Sequence, residues 1–205
     1  MSELFCIFAS EKTISMDCTI IFDFDGTLLD TQPLMKYEYL FKQPTRGTKE
    51  WSKGRKEYLS HIKDCKLYEG MDEVIQHIRK NHIKCAVVTA NTKDRVVEAI
   101  KAFGWSDFIN KTNIIGCYSL GMNRASKDDG DSRLFAKALE LMGVTADDCI
   151  AFGNELNDFK AAQSIGIKAY NCLWGASDDE RTVMMNEMSE NSITSPTDIL
   201  EIIGK

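Results

Sequence analysis

Residues 18–27 read Cys-Thr-Ile-Ile-Phe-Asp-Phe-Asp-Gly-Thr. A short, β-branched apolar run from Cys18 to Phe22 passes directly into a polar turn, Asp23 to Thr27. An unbroken apolar run of this length predicts a strand buried on both faces. Two carboxylates at i and i+2 then leave the strand end on the same side. Gly26 allows a sharp turn, and backbone N–H groups exposed there are suited to phosphate oxygens. Close carboxylates divide their roles: one ionises beside a cation while the other can keep a proton, as a nucleophile and a general acid require. On residue type alone, an Asx-rich turn that merely ends a strand accounts for the segment equally well.

Working outward, strand and helix patterns alternate. Met71, Val74, Ile75 and Ile78 repeat at helical spacing, and Ala86 to Thr89 reads as a second buried strand. Thr92 is a candidate cap for a helix carrying Val96, Val97, Ile100 and Phe103, which Gly104 ends. Asn113 to Tyr118 is a third strand, and Ser132 opens a helix with Leu134, Phe135, Ala138, Leu139 and Met142, stopped by Gly143. Cys149 to Phe152 is a fourth strand, Leu156 to Ile165 a helix, and Ile167 to Cys172 a fifth strand. The alternation predicts an α/β fold with a doubly wound parallel sheet, Rossmann-like, covered on both faces. Such sheets carry their sites at the carboxyl ends of the strands. Asp23 to Thr27, Thr89 to Asn91 and Gly153 to Asp158 are therefore the places where chemistry is expected.

Residues 31–67 break the alternation. Leu34, Tyr37 and Phe41 share one helical face, and Trp51, Tyr58, Leu59 and Ile62 another. The reading is two short helices in a small insert, dividing the chain into a core of 1–30 and 68–205 and a cap of 31–67. The insert's aromatics read as its packing surface and the charged run Lys49 to Lys56 as a solvated helix face. Residues 1–16 read as a weak edge strand.

Composition narrows the class. The 205 residues carry Lys+Arg 25 against Asp+Glu 31, a net −6, so a nucleic-acid partner is not expected. The apolar runs are too short to span a bilayer, and Glu3 stands where a secretory signal places a base, so neither a membrane nor an export signal is read. Cys 7, an odd number with no Cys-x-x-Cys pair, suits reduced thiols and a cytoplasmic location. His 3, scattered at 61, 77 and 82, offers no zinc spacing. The oligomeric state is not readable.

Taken together, Asp23-Phe-Asp25-Gly-Thr27, Val87-Val-Thr89-Ala-Asn91 and Gly153-Asn-Glu-Leu-Asn157-Asp158 resemble the haloacid dehalogenase (HAD) superfamily, in its phosphoglycolate phosphatase and β-phosphoglucomutase branch. Leu67-Tyr-Glu-Gly70, Ala161-Ala162 and Trp174-Gly175 are also similar to that branch. The resemblance spans about Asp17 to Gly175 and implies a HAD core with a helical cap. It implies a Mg²⁺-dependent phosphatase acting on a small phosphorylated substrate through an aspartyl phosphate. Asp23 would attack phosphorus; Asp25 would protonate the leaving oxygen and later activate water. Thr89 and a loop lysine would hold the phosphoryl, near Gly26, Thr27, Ala90 and Asn91. Mg²⁺ would rest on Asp23, the Asp25 carbonyl, Asn154 and Asp158. A phosphate dianion repels a carboxylate, so such catalysis rests on positioning and on cancelling negative charge.

Two departures stand out. The resemblance implies an acid at 154, where this chain has Asn154, one charge short at the metal; adjacent Glu155 is a candidate replacement. It also implies Lys-Pro at 129–130, where this chain has Asp129-Gly130. Lys127 is the chosen phosphate lysine, with Lys111 and Arg133 as alternatives. A phosphomutase, or a non-catalytic binding or assembly protein on the same fold, are the competing readings.

Overall fold

The computed structural model describes residues 18–121 and 123–204. The edge strand expected within 1–16 lies outside them. Six strands, β1 (Thr19–Phe22), β2 (Cys85–Val88), β3 (Ile114–Ile115), β4 (Cys149–Gly153), β5 (Lys168–Cys172) and β6 (Ser192–Ile193), form one sheet in the order β3-β2-β1-β4-β5-β6. Every neighbouring pair is parallel. The winding runs from β1 toward β3, then returns across β1 to run toward β6. The switch point falls between β1 and β4, where parallel α/β sheets open a crevice at their carboxyl edge.

Each central strand is buried on both faces, which is why its sequence is continuously apolar. Ile20, Phe22, Cys85, Val87, Ile150 and Phe152 share one core with Val74, Ile75 and Ile78 of α4 (Met71–Lys80) and Val96, Ala99 and Ile100 of α5 (Lys93–Phe103), numbering the helices in chain order. Ile21, Ala86, Val88 and Ala151 face the other way, onto Leu134, Phe135 and Ala138 of α6 (Arg133–Met142) and Phe159, Ala161 and Ala162 of α7 (Leu156–Gln163). The period of two along the strand separates the two cores. Register is level across the centre: Phe22 pairs with Val87 on one side and Phe152 on the other. The residues that follow, Asp23, Thr89 and Gly153 to Asp158, therefore leave the sheet along one edge.

Several expectations are corrected. The third strand covers only Ile114 and Ile115, because Cys117 N–H turns away to Asn91 O at 2.9 Å and Gly116 N–H to Ser119 Oγ at 2.9 Å. Thr92 and Ser132 stand at the starts of α5 and α6 without a side-chain cap bond. Gly104 and Gly143 close those helices in the left-handed conformation. The chain also continues beyond the fifth strand into α8 (Asp178–Glu187), β6 and α9 (Asp198–Ile202), which the pattern did not reveal. Ile199 and Leu200 of α9 join the core beside α4.

The insert holds α1 (Gln32–Met35), α2 (Tyr39–Lys42), α3 (Lys49–Ser60) and a 3₁₀ turn, His61–Asp64, rather than two helices. Thr48 caps α3 by accepting from Trp51 N–H at 3.2 Å. The run Lys49 to Lys56 is not uniformly solvated: Gly54 and Arg55 are buried. A Cβ on Gly54 would lie 1.8 Å from Leu40 O, so α2 and α3 meet backbone to backbone there. Tyr58 is fully buried, and Phe41 meets its ring edge-on at 4.7 Å.

The Gly54 contact makes a prediction of sign. Alanine favours an isolated helix over glycine by about 1 kcal/mol. Gly54→Ala is nevertheless expected to destabilise the protein, by about 1–3 kcal/mol, because the methyl group overpacks a backbone contact. Urea unfolding checks it; a stabilised variant would contradict the backbone approach.

Candidate active site

Asp23 leaves β1 with its N–H bonded to Phe152 O at 2.8 Å, so the acid is pinned to the end of β4 from its first atom. Its carboxylate accepts from Lys127 Nζ at 2.5 Å, and the same ammonium is paired with Asp158. All three are enclosed: Asp23 is 7% exposed, Lys127 3% and Asp158 3%. Neither of the alternative bases does this. Arg133 is paired with Asp131 at 2.6 Å, and Lys111 is exposed in the turn before β3.

Asp158 is held from its own helix. Its Oδ2 accepts Glu155 N–H at 3.1 Å, while the Glu155 carboxylate closes the reciprocal bond of a capping box at the start of α7. Glu155 is thus turned onto its own helix. Gly153 makes the approach possible, since a Cβ there would stand 2.3 Å from Asp158 Cβ. Asp158 Oδ1, buried and in ion-pair contact with Lys127, has no aligned hydrogen-bond donor among the described residues.

Two carboxylates around one ammonium leave one negative charge in excess. Burial pushes the Asp23 carboxyl well above its usual range; Lys127 opposes this, and the charge of Asp158 adds to it. For Lys127, burial pulls the ammonium down, but Asp158 and Asp23 outweigh it and raise it, so the lysine stays charged. A hard divalent cation fits this donor set of excess charge, an under-partnered buried oxygen and carboxylates. Among the described residues no group of three or more His, Cys, Asp or Glu side chains is arranged for a metal. Two carboxylates, neutral oxygens and water suit Mg²⁺ rather than Zn²⁺.

Asn154 is fixed at both ends of its amide. Nδ2 donates to Gly175 O at 2.9 Å, which can only accept, so Oδ1 must face Thr27 and takes its hydroxyl at 2.9 Å. Thr27 is fully buried, and its carbonyl accepts from Trp174 Nε1 at 3.0 Å. Gly26 N–H is spent on Leu29 O at 2.9 Å. The expected phosphate contacts thus meet groups already engaged: those of Thr27 tie this turn to the loops after β4 and β5, and the Gly26 N–H closes the turn itself. Thr89 is different. It is buried, and its Oγ1 accepts Asn91 N–H at 3.0 Å, which leaves its own hydroxyl proton to donate. The Ala90 carbonyl accepts from Arg124 Nη2 at 3.0 Å.

Asp25 lies in a second network. Asn91 Nδ2 donates to one carboxylate oxygen at 2.7 Å and the Arg95 guanidinium to the other. Arg95 also donates to the Tyr58 hydroxyl, whose pKa burial pushes up to about 12. Beside it, Arg55 binds Asp94 through Nε at 3.0 Å and Nη2 at 2.8 Å, and Thr92 Oγ1 at 2.6 Å. The insert is joined to the start of α5 by these two buried arginines. Neither was singled out from the sequence. Arg95 carried one sign: a base in the first turn opposes the helix dipole and needs another reason to be there.

Residues 36–172, more than half of the chain, match the haloacid dehalogenase-like hydrolase family, and the chain belongs to that family. The Asp23–Thr27 segment lies just ahead of the matched stretch. Pyrophosphatase PpaX of Halalkalibacterium halodurans is 21% identical over 180 residues, covering 73% of this chain and 80% of that protein. Among solved structures, a HAD hydrolase of family IA, variant 3, from Entamoeba histolytica superposes with a TM-score of 0.68 at 16% identity, over 91% of this chain and 97% of that one. A hydrolase from Pseudomonas syringae gives 0.66 at 20% identity, over 91% and 97%. At these identities the structures speak for the fold.

The excess charge predicts an unusual stability profile. Asp23→Asn leaves Lys127 balanced by Asp158 alone. A carboxyl whose folded pKa is raised destabilises the fold while ionised, and the loss is relieved as pH falls through that pKa. In a metal chelator at pH 8, Asp23→Asn is expected to melt above the wild type, with the gap closing toward pH 5. Calorimetry decides; a variant melting lower at pH 8 would contradict the charge balance.

Proposed function

We propose that this chain is a Mg²⁺-dependent phosphatase that hydrolyses a small phosphorylated substrate through an aspartyl phosphate. The observation that carries the reading is the buried Asp23–Lys127–Asp158 cluster at the switch point of the sheet. Family membership and the likeness to a pyrophosphatase support the same class of reaction. No helix among the described residues is long and apolar enough to cross a membrane. Six described cysteines are free thiols, which suits the reducing cytoplasm.

In this reading an Asp23 oxygen attacks phosphorus and the bond to the leaving oxygen breaks. That oxygen takes its electron pair and a proton from Asp25. Water then attacks the phosphorus of the aspartyl phosphate and gives a proton back to Asp25, which frees phosphate and regenerates Asp23. Lys127 offsets charge on Asp23 and on the transferring group, and the Thr89 hydroxyl donates to it. Arg95 and Asn91 orient Asp25. Asp23, Asp158, the Asp25 carbonyl and Asn154 Oδ1 would hold Mg²⁺, which supplies charge neutralisation between nucleophile and phosphoryl. Residues 31–67 act as the cap, and Arg55 of the insert together with Arg95 of α5 holds it against the core.

Release of p-nitrophenol from p-nitrophenyl phosphate tests this reading. Turnover should require Mg²⁺, stop in chelator, and fall at least about a thousandfold in Asp23→Asn, as loss of a covalent nucleophile does. Metal-independent turnover, or an active Asp23→Asn, would overturn it.

A further inference from the structure

Asp158 has one carboxylate oxygen to offer. Its Oδ2 is spent on the Glu155 N–H at 3.1 Å, inside the capping box that opens α7. Gly153 walls in the same oxygen: a Cβ there would meet Asp158 Oδ2 at 2.5 Å. Oδ1 is left, buried and without an aligned donor among the described residues, and the Lys127 ammonium rests against it. The same ammonium donates to Asp23 Oδ1 at 2.5 Å. A divalent cation held by Asp23 and Asp158 is therefore a rival of Lys127 for the same two carboxylates.

No neighbouring acid relieves the competition. Glu155 closes the capping box with its own carboxylate. Asp25 is held by Asn91 and Arg95. Asn154 is neutral, and its amide is fixed through Nδ2 to Gly175 O and through Oδ1 to the Thr27 hydroxyl. Gly26 presses on that amide, since a Cβ at 26 would lie 2.6 Å from Asn154 Nδ2. The amide is thus a braced, uncharged neighbour. A cation that enters must take the Asp158 oxygen from Lys127.

The displaced ammonium then needs a new counter-charge, because a buried charge stripped of its partner is costly. Lysine is able to find one: its stem is flexible and its three donors rotate. Thr89, at the end of the adjacent strand β2, keeps a hydroxyl proton to donate to the same anion. A phosphate dianion supplies the missing charge. Without the cation, that phosphate meets an ammonium already engaged and a cluster with one negative charge in excess. Each ligand thus removes the obstacle to the other.

From these observations we infer that Lys127 couples the two ligands. Lys127 and Mg²⁺ compete for Asp158 Oδ1, and the lysine that yields turns to the phosphate. Metal and phosphate therefore bind cooperatively, and each binds weakly alone. The inference rests on the phosphatase reading for the identity of the ligands and deepens it to how the site is assembled.

Calorimetric titration of the wild type with Mg²⁺, without and with saturating inorganic phosphate, reads the coupling without catalysis. Mg²⁺ should bind about tenfold or more tightly in phosphate, and phosphate should gain by the same factor in Mg²⁺, as linkage requires. Direct attraction between Mg²⁺ and phosphate is separated by Lys127→Met. In that variant Mg²⁺ alone should bind more tightly than to the wild type, because its rival is gone, and the coupling factor should fall toward one. A crystal structure of the wild type with Mg²⁺ and phosphate should show Lys127 Nζ out of contact with Asp158 and on a phosphate oxygen.

Equal Mg²⁺ affinity with and without phosphate overturns the inference. So does a Lys127→Met variant that keeps the wild-type coupling or binds Mg²⁺ no more tightly, and so does a lysine still on Asp158 with both ligands bound. If Lys127→Met does not fold, the wild-type titrations and the crystal structure decide. Failure of the phosphatase reading looks different. Coupled binding in a protein that releases no p-nitrophenol supports the coupling and removes the phosphatase reading. Mg²⁺- and Asp23-dependent turnover with independent binding of the two ligands removes the coupling alone.

Discussion

A buried ammonium between two buried carboxylates organises this molecule. Lys127 comes from the irregular segment between β3 and α6, Asp23 from the end of β1, and Asp158 from the first turn of α7. Each of these groups would be costly to bury alone. Together they oblige three separate segments to converge at the switch point of the sheet. Gly153 is part of the same constraint, because a side chain there would occupy the space of Asp158. The arrangement is not neutral, and its excess negative charge prepares it for a cation and an anionic substrate together.

A second network repeats the device one layer out. Arg95 connects Asp25 to Tyr58 of the insert, and Arg55 of the insert returns to Asp94 and Thr92 at the head of α5. The insert is therefore attached to the core through the residues that orient Asp25. Asn154 ties the turn at Thr27 to Gly175 in the same way. With an amide at 154 the crossing point needs no further charge balance: a carboxylate there would place a second acceptor against the Gly175 carbonyl.

The sheet was legible because its strands are short, continuous apolar runs separated by amphipathic helices, and both signals are local. The acids at the strand ends were legible for the same reason: Asp23 and Asp25 follow an apolar run without a spacer. What local pattern did not carry was long-range. β6 is two residues long and α9 five, too short for any period to show. Arg55 and Arg95 look like ordinary surface bases until α3 and α5 are brought together. Counting back from Phe135 leads to Lys127 in a polar loop, with Lys111 and Arg133 as alternatives; the contact of Lys127 with Asp23 and Asp158 is a property of the folded loop. Thr27 and Gly26 read as phosphate contacts from their place in the turn, whereas their polar groups are already engaged by Asn154 and Leu29.

The central claim is that Lys127 is held by charge rather than by packing. The most direct measurement is the stability change for Lys127→Met in two backgrounds, wild type and Asp23→Asn/Asp158→Asn, by denaturant unfolding without metal. In the wild type, removing the cation strands two buried carboxylates and should cost about 3–5 kcal/mol. In the amide background the ammonium has lost its counter-charges, so its replacement by methionine should be neutral or stabilising. Equal losses in the two backgrounds would contradict the account.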